Sequence, residues 1–281
     1  MVLACHVALS VSKIFIADSS LHPFLSIGTR ALAPSSATAL SSNMSILVCG
    51  TGAIGSAVAR IVSRASARPI LAGRDAAKLS ALSAELAGAE TRVVDFAVPE
   101  AVPEALGALP ADLQGVVYAV GNARLQPMRA LKPADLAADF ALNCGSAFEV
   151  VRASAPAMKK RGGGGVVLFS TVAVGQGFSR HASVGAAKGA VEGLARSLAA
   201  ELAPSRIRVN AVAPSLTAGA AIAAPLTSNA KMAEGIAAMH PLGRLGEADD
   251  SAEVAAFLVS ERASWITGQV WGVDGGRSSL R

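Results

Sequence analysis

Residues 166–210 read VVLFSTVAVGQGFSRHASVGAAKGAVEGLARSLAAELAPSRIRVN, and this stretch decides the fold. Val166–Phe169 is a short apolar run without alternation, the pattern of a strand buried on both faces. From Ser183 to Leu202 the apolar residues Val184, Ala187, Val191, Leu194, Leu198 and Leu202 recur at spacings of three and four. That is the stripe of a helix packed on a core. Ile207–Val212 is a second buried strand. Strand, helix and strand in succession form a β-α-β crossover, so the two strands are expected to run parallel. Near the start of the helix a single charge, Lys188, interrupts a surface of Ala and Gly.

The same alternation extends outward. Toward the N-terminus, Ser45–Cys49 is a buried strand followed by Gly50-Thr-Gly52-Ala-Ile-Gly55 and a helical pattern from Ala57 to Ala65. Strand, glycine turn and helix in that order suit a dinucleotide, because the glycines admit a pyrophosphate to the backbone and the helix N-terminus offers free N–H groups. Pro69–Ala72 is a second strand whose tip is Gly73-Arg74-Asp75. An acid at this tip would take a ribose hydroxyl, whereas a guanidinium pairs with a 2′-phosphate. Arg74 therefore points to NADP(H), with NAD left possible through Asp75, which can also cap the helix that follows it to Ala87. Thr91–Val94 and Gly115–Ala119 are further strands, and a helix is expected from Ala134 through Arg152. Toward the C-terminus, Pro214–Asn229 is a loop long enough for a substrate lid, then a helix reaches Ser260 and Gly268–Val273 closes the sheet. Strands and helices so arranged predict an α/β fold, a single-domain doubly wound (Rossmann) seven-stranded parallel sheet with helices on both faces, spanning residues 44–281.

Residues 1–43 differ from the rest, being rich in Ser, Ala and Leu with Lys13, Asp18 and Arg30 as their charges. They read either as a transit peptide, which would place the protein in a plastid or mitochondrion, or as a leader before a true start at Met44, which would leave it cytoplasmic. In the whole chain of 281 residues, 52% are hydrophobic and the net charge is +5. No apolar run reaches the ~18 residues of a membrane span. No Lys/Arg cluster with interleaved aromatics suggests nucleic acid. Cys5, Cys49 and Cys144, like His6, His22, His181 and His240, are too scattered for a disulfide framework or a metal site.

Taken together, these motifs resemble those of the short-chain dehydrogenases/reductases from Met44 to about Gly276. The resemblance gives Gly50, Gly52, Ile54 and Gly55 to the pyrophosphate turn, and Asp95, with Phe96 beside it, to the adenine. Ala119-Val-Gly121 stands where that family has Asn-Ala-Gly. Asn143 matches the helix asparagine that supports a proton-relay water. Arg208–Pro214, with Thr217 beyond it, leads to the nicotinamide, and Lys188 holds its ribose. Family members act on small molecules and commonly form homodimers or homotetramers, which is the assembly expected here.

One position departs from the pattern. The family's catalytic tyrosine lies four residues before the lysine, and here that residue is Val184. The serine slot is Thr171, with Ser170 beside it, and the chain's single tyrosine, Tyr118, sits in a strand expected to be core. Two readings remain open. In one, His181, seven residues before Lys188 and so near the same helical face, supplies the proton, or a water on Asn143 and Lys188 does. The enzyme would then move hydride between NADPH and a small carbonyl or enoyl substrate. In the other, the fold binds NADP(H) but is catalytically weak or inactive and serves as a sensor or partner subunit.

Overall fold

The computed structural model describes residues 44–220 and 222–280. The leader, with its targeting reading, and Cys5, His6 and His22 lie outside the described residues. The elements run β1 (Ser45–Cys49), α1 (Ala53–Arg64), β2 (Arg68–Gly73), α2 (Ala76–Glu85), β3 (Glu90–Val93), α3 (Val102–Leu106) and β4 (Leu113–Tyr118). They continue with α4 (Pro133–Phe140), α5 (Ser146–Arg161), β5 (Gly164–Phe169), α6 (Ala173–Gln176), α7 (Ala182–Leu202) and β6 (Ile207–Pro214). The last are α8 (Ala224–Thr227), α9 (Ala230–Ala237), α10 (Ala248–Val259) and β7 (Val270–Val273).

All seven strands are parallel, in the order β3-β2-β1-β4-β5-β6-β7. Two buried clusters line the two faces of the sheet. One gathers Leu47, Tyr118, Val150 and Val191 under α5 and α7. The other gathers Val48, Val58, Val117 and Leu258 under α1 and α10. The chain leaves β1 toward β2 and β3, then returns to β4 on its other side. A crevice opens at such a reversal, beyond the carboxyl ends of the strands.

Two local features differ from the sequence expectation. The helix expected from Ala134 to Arg152 is broken by a π-helical turn over Ala141–Gly145 before it resumes as α5. The loop after Pro214 is tied down by a parallel bridge between Thr217 and Gly246 and contains α8.

Candidate active site

Because the strands are parallel, the residues that follow them gather at one edge of the sheet. At two of its glycines the turn after β1 leaves no room for a side chain. Gly50 has φ +105, and a Cβ on it would lie 2.8 Å from the Ala119 carbonyl. A Cβ on Gly55 would lie 2.0 Å from the Gly50 carbonyl, whereas Gly52, the N-cap of α1, faces open space. Such a turn exposes backbone to a ligand. At the tip of β2, Arg74 is exposed and forms no ion pair or hydrogen bond with another described residue. Asp75 is committed to α2, its carboxylate accepting the Lys78 amide at 3.0 Å. Asp95 is exposed at the end of β3, accepting from the Ala97 amide at 3.0 Å. The Phe96 ring is buried edge-on against Tyr118, with centroids 5.5 Å apart, so its side chain belongs to the core and only its backbone is left to meet an adenine.

A cavity of about 390 Å³ continues from this edge. Ile54, Ala119, Gly121, Pro214 and Thr217 line it together with Ser170, Thr171, His181, Val184 and Lys188. Most of its other walls are apolar. Lys188 is buried and donates to the Phe169 carbonyl at 2.8 Å. Burial pushes its pKa down to about 8, against a smaller opposing pull from Cys144. A Cβ on Gly121 would be 2.6 Å from Asn143 Oδ1 and 2.8 Å from Lys188 Nζ, so this glycine lets both polar groups approach one spot. Asn143 Nδ2 donates to Asn122 Oδ1 at 2.9 Å and to the Asp139 carbonyl at 2.8 Å. Its buried Oδ1 has no hydrogen-bond partner among the described residues. An orphaned acceptor beside an ammonium with donors to spare suits a hydroxyl or a water.

The two hydroxyls after β5 have separate tasks. Ser170 Oγ donates to Glu192 on α7 at 2.8 Å. Thr171 Oγ1 accepts the Ala173 amide at 3.3 Å and keeps its own hydrogen for the cavity. Thr217 Oγ1 donates to the Ser215 carbonyl at 3.2 Å, which leaves its lone pairs for an amide. Tyr118 is 1% exposed and its hydroxyl donates to the Leu142 carbonyl at 2.6 Å, so it is core, as expected.

His181 lies just outside α7, which begins at Ala182. Its carbonyl takes the first helical bond, from the Gly185 amide at 2.7 Å, and its ring stands edge-on to Phe178 with centroids 5.4 Å apart. Its Nδ1 is 2.8 Å from the Ser179 carbonyl. A carbonyl can only accept, so Nδ1 carries hydrogen and Nε2 remains for another partner. Val184 is 3% exposed and presents only methyl groups to the cavity.

Sequence reasoning missed the support beneath this site. Asp139, fully buried on α4, accepts from Asn122 Nδ2 at 2.7 Å, Arg124 Nε at 3.3 Å and the Ser183 hydroxyl. This carboxylate joins the loop after β4 to the start of α7. The available signal was slight: Asp139 precedes Asn143 by four residues, and Asn122 follows Gly121. Among the described residues no group of three or more His, Cys, Asp or Glu could hold a metal, and no helix is long and apolar enough to cross a membrane.

Comparison with known proteins gives the same architecture. A family model described as enoyl-(acyl carrier protein) reductase matches residues 50–278. The L-xylulose reductase of Bos taurus is 34% identical over 233 residues, covering 82% of this chain and 94% of that protein. A short-chain type dehydrogenase/reductase of Mycobacterium ulcerans superimposes with TM-score 0.79 at 31% identity, over 86% of this chain and 92% of the other. A gluconate 5-dehydrogenase of Burkholderia cenocepacia, solved with NADP and tartrate, has TM-score 0.79 at 27% identity over 86% and 98% of the two chains.

Proposed function

This chain belongs to the short-chain dehydrogenase/reductase family, and from that premise we propose that it is an NADP(H)-dependent oxidoreductase acting on a small carbonyl or enoyl substrate. The observation that carries the proposal is that one cavity is lined both by Lys188, Thr171 and His181 and by Ile54, Ala119 and Gly121. When bound there, the nicotinamide supplies or accepts the hydride at its C4.

The chain's own residues do the rest. The Gly50–Gly55 turn cradles the pyrophosphate, Arg74 pairs with the 2′-phosphate, and Asp95 takes the adenine amino group. Lys188 donates to the ribose, while Thr217 accepts from the carboxamide. Thr171 donates its hydroxyl hydrogen to the substrate oxygen and polarises it. His181, its Nδ1 held by the Ser179 carbonyl, gives the proton from Nε2 as imidazolium and recovers it from solvent. Asn143 and Lys188 can instead hold a water that delivers the proton. Leu136, Phe140 and Phe148 are exposed on α4 and α5, which fits a homodimer or homotetramer built on these helices.

Turnover tests the reading. With NADPH, the full chain should oxidise cofactor in the presence of at least one member of an aldehyde, ketone and enoyl thioester panel. His181→Ala should lower kcat about 100-fold, the scale of one general acid. An unchanged kcat would transfer the proton step to the Asn143–Lys188 water. Tight NADPH binding with no turnover on any member would favour the rival reading, a catalytically inactive NADP-binding protein, which buried Val184 supports by continuing the apolar stripe of α7.

A further inference from the structure

One charged side chain of the cavity has no task in this scheme. Arg277 enters from the turn after β7. That turn is strongly specified. Gly275 and Gly276 have φ +61 and +87, and a Cβ on Gly276 would meet Leu280 at 2.9 Å and Pro241 at 3.2 Å. Asp274 closes it by accepting from the amides of Gly276 at 2.9 Å and Ser278 at 2.8 Å, and from the Ser278 hydroxyl. The reversal carries the Arg277 guanidinium over the Phe178 ring, 4.7 Å from its centroid.

The guanidinium is half-buried there but poorly satisfied. One nitrogen donates to Ser215 Oγ at 3.4 Å, which is long, and another to Met239 Sδ at 3.6 Å, a weak acceptor. No carboxylate forms an ion pair with it among the described residues. Asp274, the nearest acid in sequence, attracts the guanidinium at a distance but gives its hydrogen bonds to its own turn. Ser215 is itself oriented. His240 Nδ1 lies 2.8 Å from the Ile236 carbonyl and must donate to it, so Nε2 accepts the Ser215 hydroxyl at 2.8 Å. Ser215 thus turns its lone pairs toward Arg277. The surrounding walls, Leu125, Val184, Leu216, Ile236 and Met239, are apolar.

An arginine fork with open donors, held by aromatic stacking at the wall of an apolar cavity, matches a carboxylate. We propose that Arg277 is the specificity residue of this cavity, and that its substrates are apolar oxo or enoyl acids with the carboxylate on Arg277 and the reacting group at Thr171. This rests on the oxidoreductase reading above and names its substrate class.

The test compares levulinate with methyl levulinate, which share the ketone and carbon chain and differ in charge, in the full chain with saturating NADPH. Wild type should favour the acid, and Arg277→Met should lower the acid-to-ester ratio of kcat/KM about tenfold or more, chiefly through the KM for the acid. Arg277→Lys should recover part of that ratio. A wild type indifferent to the charge, or a ratio unmoved by Arg277→Met, would overturn the assignment. Turnover of neutral carbonyls without acid preference sinks this inference alone. If neither compound nor the wider panel turns over, the oxidoreductase reading fails, and calorimetry with hexanoate and hexanamide on the NADPH complex decides the anion site. Selective hexanoate binding lost in Arg277→Met would keep that site, and equal binding in both proteins would remove it.

Discussion

Lys188 is a cation in a place that penalises cations. Its ammonium is buried, has one carbonyl partner, and titrates near 8, well under the 10.5 of a free lysine. The sign of the stability effect follows from which state holds the proton. Between pH 8 and 10.5 the unfolded chain keeps a lysine proton that the folded chain has released. Stability contributed by this group therefore rises with pH across that window, and below it the full penalty of burial applies. The difference of 2.5 in pKa corresponds to about 3 kcal/mol. Relative to Lys188→Met, which cannot titrate, the wild type should gain about that much between pH 8 and 10.5 in urea denaturation without cofactor; a flat difference would mean that the ammonium is hydrated. Lys188, Thr171 and Asn143 entered the sequence reading through the family resemblance, Lys188 and Thr171 by their offsets from the tyrosine slot at Val184. Neighbours at the end of a strand point to opposite sides, so Ser170 and Thr171 could be told apart only once Glu192 was seen to take the serine. Arg277 carried no local signal and Asp139 only a slight one, since their roles arise from contacts with segments far away in the chain.

At the scale of elements, the same residue type serves different ends according to its neighbours. Asp75 follows β2 where a ribose acid is often found, yet its carboxylate is the N-cap of α2. Arg74, one residue earlier, projects free into solvent. Replacing Arg74 by Ser should weaken NADPH about tenfold and leave NADH little changed, because only the phosphorylated ribose loses a charged partner. Asp75→Ala should cost about 1 kcal/mol of stability through the lost cap and preserve the ratio of the two affinities. Fluorescence titration with both nucleotides separates the roles, and a selective loss of NADH in Asp75→Ala would assign Asp75 to the ribose instead. The helices around these turns were readable from their apolar spacing. The π-helical turn at Ala141–Gly145 was not, because one widened turn barely disturbs that spacing. It nevertheless places Asn143 against Gly121, and a Cβ on Gly121 would close the gap that Asn143 and Lys188 share.

At the scale of the molecule, the proposed cofactor site belongs to no single element. Its residues follow β1, β2, β3, β4 and β6, and include one on α7, so a bound dinucleotide would touch turns from both sides of the chain reversal between β1 and β4. The alternation of strands and helices made this sheet legible in advance, since parallel neighbours joined by right-handed crossovers leave few arrangements. Two buried clusters, one on each face, then make the sheet one cooperative body. A ligand bound across such a body stabilises all of it by mass action, about 2.7 kcal/mol when its concentration is 100 times its Kd. For a domain of this size that is roughly 5–10 °C in Tm. NADPH should therefore raise the Tm by this amount, and NADH at the same concentration by less. Gly55→Ala should abolish the shift, because its Cβ would fall 2.0 Å from the Gly50 carbonyl and force the turn open. That variant starts from a lower Tm, so the comparison is of each protein with itself, with and without nucleotide. An undiminished shift in Gly55→Ala would mean that the nucleotide binds away from this turn.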